Sequence, residues 1–263
     1  MTESAGWRDS LRNLVNLAEQ LSEPRYRFGL PYVRISAIAE QYYCEAKVDL
    51  EYRLGEIPTE DREEGSRIHD ELLRMRPTTL EGLIKGIEEK PVYVCSFPVY
   101  AELEGLLIIG VPDAIVFRRA KPAQILELKT TAGSLGKLWA DERVQVEAYG
   151  YALDYMGFDC SDFRLVIVKV RRSEEGAPTA LLKAIIRAIY LKNEGLDSVE
   201  RLGRATSAFR IYVLPYDRQS VVSKLRWASD YWLMRREPVP TKRAGKCRAC
   251  VYSDKCPYSL LRS

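Results

Sequence analysis

Histidine is almost absent from this sequence: His69 is the only one in 263 residues. Any site that needs two histidines is therefore excluded, which removes most histidine-rich zinc sites. Long hydrophobic runs are also missing, since no stretch approaches the roughly 18 residues that a membrane span requires. The N-terminal segment MTESAGWRDS lacks the profile of a signal peptide. We therefore expect a soluble, cytoplasmic protein with no membrane partner.

A strong excess of one charge is lacking as well, because the net charge is only +3 at pH 7. The overall charge thus does not identify a nucleic-acid partner. Basic residues are nevertheless concentrated between Arg235 and Arg248, where Glu237 is the only acid. Such a segment either binds phosphates or is a solvated tail. Its candidate DNA-binding residues are Lys242, Arg243, Lys246 and Arg248.

Hydrophobic residues make up 46% of the chain, which is enough for a buried core. Runs rich in β-branched residues, separated by turn residues, predict three consecutive strands: VYVCSFPVYAEL, LLIIGVPDAIVFRR and AQILELKTT. Two later runs, FRLVIVKV and AFRIYVLP, also predict strands, and apolar residues at helical spacing surround the whole group. Strands clustered in mid-chain with helices around them predict an α/β sandwich.

Two carboxylates and a lysine lie on neighbouring predicted strands. Glu127 and Lys129 are two residues apart, so they share one face of the sheet, while Leu128 points into the opposite layer. If the strands pair as a hairpin, Asp113 converges on the same face. Two carboxylates and the backbone carbonyl of Leu128 form a site suited to Mg²⁺ or Mn²⁺, at which Lys129 could orient the attacking water. The alternative is an amphipathic edge strand. However, desolvation makes charges in an apolar run costly in free energy unless they have a function.

The helix that follows this strand carries Gln145 and Tyr149, four residues apart and hence on one helix face. That face can look back over the metal site, where both residues would support catalysis. The alternative for Tyr149 is that it packs in the core, and the alternative for Gln145 is that it occurs at this position by chance.

Six cysteines are present, and in a reducing compartment closely spaced thiols are ligands more often than disulfides. Cys247, Cys250 and Cys256 form a tight motif near the C-terminus that needs a fourth ligand. Cys95 and Cys160 lie in or beside strand-like segments and are typical of small buried hydrophobes. The fourth ligand that we predict is Cys44. Four thiolates suit either a [4Fe–4S] cluster or a zinc ion.

The succession of GVPD, ELK and Q-x-x-x-Y on the next helix resembles the RecB-like branch of the PD-(D/E)XK nucleases. This resemblance implies a restriction-endonuclease-like core, with a central mixed sheet flanked by helices. It also implies that His69, on an upstream helix, is a metal ligand together with Asp113 and Glu127.

One cysteine before the core and three after it resemble the CRISPR-associated RecB-like nucleases. That resemblance implies a [4Fe–4S] cluster that joins the N- and C-terminal segments. It further implies metal-dependent cleavage of single-stranded DNA or DNA ends during CRISPR spacer acquisition, alongside the integrase complex. A DNA-repair exonuclease of the same superfamily is the first alternative. The second is a catalytically inactive DNA-binding scaffold with a structural iron–sulfur or zinc site.

Four segments follow from these patterns. Residues 1–30 form an N-terminal helical extension, and residues 31–90 form a helical segment that carries Cys44 and His69. Residues 91–234 form the nuclease core, with a helical insertion near 173–207, and residues 235–263 form the cysteine tail. The extension and the insertion depart from the compact family pattern. Either one is a candidate surface for a partner or for a homo-oligomer.

Overall fold

Two β-sheets form the framework of the chain in a computed structural model, which describes residues 6–21, 23–59, 78–172, 179–191, 200–201, 204 and 207–261. The larger sheet has five strands in the order β2-β5-β6-β7-β8, and the smaller has three in the order β1-β4-β3. The strands are β1 (Val33–Arg34), β2 (Val92–Cys95), β3 (Val99–Leu103), β4 (Leu106–Gly110), β5 (Ala114–Arg118), β6 (Lys121–Thr131), β7 (Arg164–Arg171) and β8 (Phe209–Pro215).

Helices pack on both faces of the larger sheet. The helices within the described residues are α1 (Trp7–Gln20), α2 (Ile35–Leu54), α3 (Leu80–Glu89), α4 (Ala140–Tyr155), α5 (Thr179–Leu191), α6 (Arg218–Trp232) and α7 (Ala244–Arg248). Within the described ranges, none of these helices combines the length and the apolar character needed to cross a membrane. The α/β class predicted from the sequence is confirmed, and the five-stranded sheet is mixed, because β6 and β7 are parallel whereas its other pairs are antiparallel.

The number of strands between residues 92 and 131 was predicted wrongly: there are five, not three. Pro98 falls between β2 and β3, where the absence of a backbone N–H ends strand pairing. Val111 to Asp113 separate β4 from β5 in the same way. As a result, each of the first two predicted strands contributes one strand to each sheet.

The two faces of β6 face different layers. Leu126 and Leu128 are fully buried in a hydrophobic cluster with Ile185 and Ile189 of α5. Ile125 belongs to the main core on the other face, the side on which α4 packs. The side chains of Glu127 and Lys129 therefore point toward α4, as the period of two predicts.

The N-terminal extension and the described part of the insertion are integrated into this packing. Trp7 of α1 stacks on Phe158, with ring centroids 5.3 Å apart, and Leu11 is fully buried. In α5, Ile185, Ile186 and Ile189 cover the second face of the larger sheet. Both segments thus bury apolar surface within this chain.

Candidate active site

Asp113, Glu127 and Lys129 lie together at the end of the β5–β6 pair. The antiparallel register aligns Ala114 with Leu126, so Asp113, one residue earlier, comes opposite Glu127. Asp113 Oδ2 accepts a 2.7 Å hydrogen bond from the backbone N–H of Leu128. The Lys129 ammonium lies 2.9 Å from Glu127 Oε1. The structure therefore brings together the three charged residues that were predicted from strand spacing alone.

Gln145, on α4, connects the members of this group. Its side-chain amide donates to Glu127 Oε1 at 2.8 Å and to the hydroxyl oxygen of Tyr149 at 3.2 Å. Its side-chain carbonyl accepts a 2.6 Å hydrogen bond from Lys129. The predicted helix face thus looks back at the strand, and the amide orients both the carboxylate and the ammonium.

Burial and charge set the protonation of two residues in the site. Burial disfavours the charged form of Lys129, but the carboxylates of Glu127 and Asp113 outweigh this effect, so its pKa is raised. The pKa of Tyr149 is also raised, first by burial and then by the charges of Glu127 and Asp113. Lys129 is therefore an ammonium and Tyr149 a neutral phenol at physiological pH.

The donor set fits a small divalent cation. Mg²⁺ prefers oxygen ligands, keeps several waters and is commonly held by one or two carboxylates together with substrate phosphates. Asp113 and Glu127 supply two such carboxylates, and their charges act jointly on Lys129 and Tyr149. Among the described residues no group of three or more His, Cys, Asp or Glu side chains forms a set that could hold a metal ion. His69, predicted as a further ligand, lies outside the described residues.

Gly110 provides the space that Tyr149 occupies. A Cβ atom at Gly110 would lie 2.7 Å from Tyr149 Cε1 and 2.9 Å from Ile35 Cβ, both closer than side chains normally approach. The glycine of the GVPD motif thus lets the Tyr149 ring pack against β4. From the sequence this glycine was identified only as the first residue of the GVPD motif.

A buried ion pair beside the site was not found from the sequence. Lys169 of β7 is the parallel neighbour of Lys129 and is fully buried. Its ammonium lies 2.7 Å from Glu142 of α4 and donates a 2.8 Å hydrogen bond to the carbonyl of Lys137. Glu142 also accepts from the backbone N–H of Trp139. These bonds fix the N-terminus of α4, and a lone lysine within FRLVIVKV was the signal that could have revealed them.

The four cysteines predicted to share one centre line a single small cavity: Cys44, Cys247, Cys250 and Cys256. Cys95 and Cys160 do not line it. Burial raises the pKa of Cys95 to about 12 and also raises that of Cys160. None of the six cysteines forms a disulfide. The structure therefore separates the cysteines into the two groups predicted from the sequence.

Cys44 interrupts the helix that carries it. Its backbone is extended, with φ −170° and ψ 116°, in the middle of α2. The ammonium of Lys246 donates hydrogen bonds to the carbonyls of Tyr42 (3.2 Å) and Tyr43 (2.6 Å), immediately before this break. Thr241 donates its backbone N–H to Cys44 Sγ at 3.4 Å. The C-terminal segment thus completes hydrogen bonds that α2 cannot make itself.

Other basic residues near the C-terminus also have structural partners. Arg236 makes a bidentate pair with the fully buried Glu45, at 2.5 and 2.6 Å. Of the four candidate DNA contacts, Lys242, Arg243 and Lys246 line one cleft, and Arg248 is exposed on α7. Because the Lys246 ammonium binds the two carbonyls of α2, its position is explained without DNA.

The comparison with protein families agrees with this geometry. The family model for the PD-(D/E)XK nuclease superfamily matches residues 17–257. Exonuclease V from Danio rerio is 20% identical over 301 aligned residues, which cover 95% of this chain and 76% of the relative. A solved structure described as "Crystal structure of SSO0001" aligns with a TM-score of 0.47 and 15% identity, covering 96% of both chains.

Proposed function

The chain belongs to the PD-(D/E)XK nuclease superfamily, and we propose that it is a metal-dependent nuclease that cleaves single-stranded DNA or DNA ends. One observation carries this proposal: within the matched region, Asp113, Glu127 and Lys129 meet on one sheet face and are held there by Gln145. Glu127 is buried, and Asp113 and Lys129 are half-buried. Charges withdrawn from water are costly to a fold unless they are paired, and such clusters concentrate at functional sites.

Each residue has a distinct task in this proposal. Asp113, Glu127 and the carbonyl of Leu128 would hold Mg²⁺ or Mn²⁺, with His69 as a further ligand. A metal held there would lower the pKa of a bound water and would neutralise charge on the scissile phosphate. Lys129, which stays protonated, positions the attacking water and stabilises negative charge that develops on the phosphate.

Gln145 and Tyr149 act on the groups around the metal site. The Gln145 amide fixes the carboxylate of Glu127 and the ammonium of Lys129 in one orientation. The hydroxyl oxygen of Tyr149 accepts from Gln145, so its own proton remains able to donate. Since Tyr149 stays neutral, that donor persists throughout the physiological range of pH.

The second part of the proposal is a [4Fe–4S] cluster bound by Cys44, Cys247, Cys250 and Cys256. Its support is the shared cavity, together with the extended backbone that removes Cys44 from the helix. The chemistry of the donor set also fits, because four thiolates suit iron–sulfur clusters. A zinc ion is the alternative ligand for the same four thiols.

For the biological role, we propose trimming of DNA ends during CRISPR spacer acquisition, next to the integrase complex. This role rests on the resemblance carried by the cysteine arrangement. The second candidate is an exonuclease of DNA repair; the similarity to exonuclease V supports the exonuclease activity in it. Deletion of the gene in a host that acquires spacers separates the two: the first role predicts spacers of altered length, the second predicts sensitivity to DNA damage.

The nuclease proposal is tested on end-labelled single-stranded and double-stranded DNA with Mn²⁺ or Mg²⁺. We expect cleavage of single strands, its loss with a chelator, and its loss in the Glu127→Gln and Lys129→Met variants. Glu102→Gln, on β3, is the matched control and should cleave like the wild type. If a folded Glu127→Gln protein retains full cleavage, β6 does not carry the site. A wild-type protein that binds DNA without cutting it supports the inactive scaffold instead.

A further inference from the structure

A cleft of about 690 Å³ opens at the N-terminus of α4. We call it the aromatic cleft, because four aromatic residues lie on its walls. Its walls come from the break in α2, the loop that follows β6, α6 and the segment 239–246. The aromatic residues are Tyr42, Tyr43, Trp139 and Trp227.

Part of the apolar surface of the cleft is accessible. Trp227 keeps 38% of its surface exposed, and Val239, also in the wall, keeps 46%. Trp139 is half-buried at the start of α4, with the Lys137 ammonium 3.8 Å from its ring centroid. Large apolar groups left exposed in a concavity mark a binding site more often than isolated surface residues do.

Basic side chains share the walls with these rings. Lys224 is paired with Glu147 at 2.5 Å, and Lys246 binds the carbonyls before the break in α2. The other cations of the cleft are Lys137, Lys242 and Arg243. Cations beside exposed rings complement a ligand that has both a flat π-face and negative charge.

We propose that the aromatic cleft binds an unpaired base of single-stranded DNA together with its phosphate. Lys137 lies over one face of Trp139 and Arg236 over one face of Trp227, so the base stacks on the opposite face of each ring. Lys137, Lys242 and Arg243 contact the backbone. Bases within a duplex are already stacked on each other, so exposed rings select a single strand. The inference rests on the proposed function, because this strand is the one that the active site would cut.

The cleft is anchored to the strands of the active site. Lys137 and Trp139 belong to the loop that leaves β6 after Lys129. The carbonyl of Lys137 is held by Lys169, which is the β7 neighbour of Lys129. A nucleotide held in the cleft is therefore in a fixed position relative to Lys129.

The test measures binding separately from cleavage. Fluorescence anisotropy of an end-labelled oligothymidine is recorded with the full chain in chelator, and a blunt duplex is measured in parallel. Trp227→Leu and Trp139→Leu should each weaken single-strand binding about tenfold, whereas the Phe variants at both positions should stay near wild type. Tyr155→Leu, an exposed aromatic on α4 outside the cleft, is the control and should bind within about twofold of wild type.

The contribution of the basic residues is tested by measuring how the affinity for single strands depends on salt concentration. Lys137→Gln should reduce the slope of log K against log salt by about 0.7, as expected for one lost phosphate contact on a single strand. Lys85→Gln, on α3, should leave the slope unchanged. Thermal unfolding of every variant identifies any that fails to fold. Where a Leu variant fails to fold, the affinity of the Phe variant at that position for single strands is compared with that of the wild type instead.

The outcomes separate this inference from the proposed function. If binding depends on the two tryptophans in a protein that never cuts DNA with Mn²⁺, the proposed binding site in the aromatic cleft is supported and the proposed nuclease activity is rejected. Cleavage of single strands by folded Leu variants that bind like wild type rejects the cleft and leaves the nuclease intact. Equal losses of affinity for single strands and for the duplex also overturn the inference, because they show that the rings do not select an unpaired base.

Discussion

The side-chain carbonyl of Gln145 lies 2.6 Å from the ammonium of Lys129, although the two residues belong to a helix and a strand. The same amide holds Glu127 at 2.8 Å from its nitrogen. An amide can do both because it carries a donor and an acceptor on one planar group. A carboxylate of the same shape has no hydrogen-bond donor, so it could accept from Lys129 but could not donate to Glu127.

Gln145→Glu should therefore lower the rate of single-strand cleavage by about 10- to 100-fold, the usual effect of losing a residue that orients metal ligands. The change replaces the donor to Glu127 by a second negative charge. Rates measured across a Mn²⁺ titration check this, with Gln219→Glu on the exposed side of α6 as the control. A wild-type rate in Gln145→Glu would show that the hydrogen bond to Glu127 does not matter for cleavage.

Gly110→Ala should slow cleavage and lower the free energy of unfolding by about 1–3 kcal/mol, because overfilled cores are strained. The added methyl group meets the ring of Tyr149 at 2.7 Å and Ile35 at 2.9 Å. Gly133→Ala is the matched control, since its nearest neighbour would be the side-chain oxygen of Thr131 at 3.4 Å. Urea denaturation and cleavage rates give both quantities. Unchanged stability in Gly110→Ala would mean that the ring moves without cost.

Lys169→Met should destabilise the fold by about 3–5 kcal/mol, because Glu142 would remain buried without its cation. Adding Glu142→Gln should recover much of this loss, which tests that charge and not packing is responsible. Lys121→Met provides the comparison, since its ion pair with Asp159 is exposed and should contribute little. Chemical denaturation of the four proteins is the measurement. Equal stability of Lys169→Met and Lys121→Met would contradict the assignment.

The cysteine variants distinguish a shared centre from separate thiols. We expect a brown protein that loses its colour and bound iron when Cys44, Cys247, Cys250 or Cys256 is replaced by alanine. Cys95→Ala and Cys160→Ser should keep both. The measurement is iron, sulfide and zinc content after anaerobic purification. One zinc and no iron in a colourless wild type, or full iron in Cys44→Ala, contradicts the iron–sulfur assignment.

Much of the site could be predicted because it follows local rules. A period of two places Glu127 and Lys129 on one face, and a spacing of four aligns Gln145 with Tyr149. The number of strands could not be read in the same way, because Pro98 and the Val111–Asp113 segment divide runs that are uniformly apolar. Whether such a break ends a strand or only bends it depends on which sheet each half joins.

The partners of the C-terminal segment also escaped prediction, for a different reason. Arg236 binds Glu45, 191 residues away, and Lys246 binds the carbonyl of Tyr43 across 203 residues. No sequence pattern marks a lysine that will satisfy backbone carbonyls on a distant helix. The cluster of basic residues was therefore interpreted only as a phosphate-binding segment or a solvated tail, whereas two of its members, Arg236 and Lys246, have partners within the chain.

The break in α2 at Cys44 constrains the order in which parts of this protein can fold during translation. A ribosome synthesises α2 long before Lys246, and domains generally fold from the N-terminus as the chain emerges. Until Lys246 emerges, the carbonyls of Tyr42 and Tyr43 lack the ammonium that binds them in the finished protein, and Glu45 lacks Arg236. The helix that carries Cys44 therefore reaches its final form only after Arg236 and Lys246 have been translated, and the cysteine cavity closes only after Cys256 has emerged.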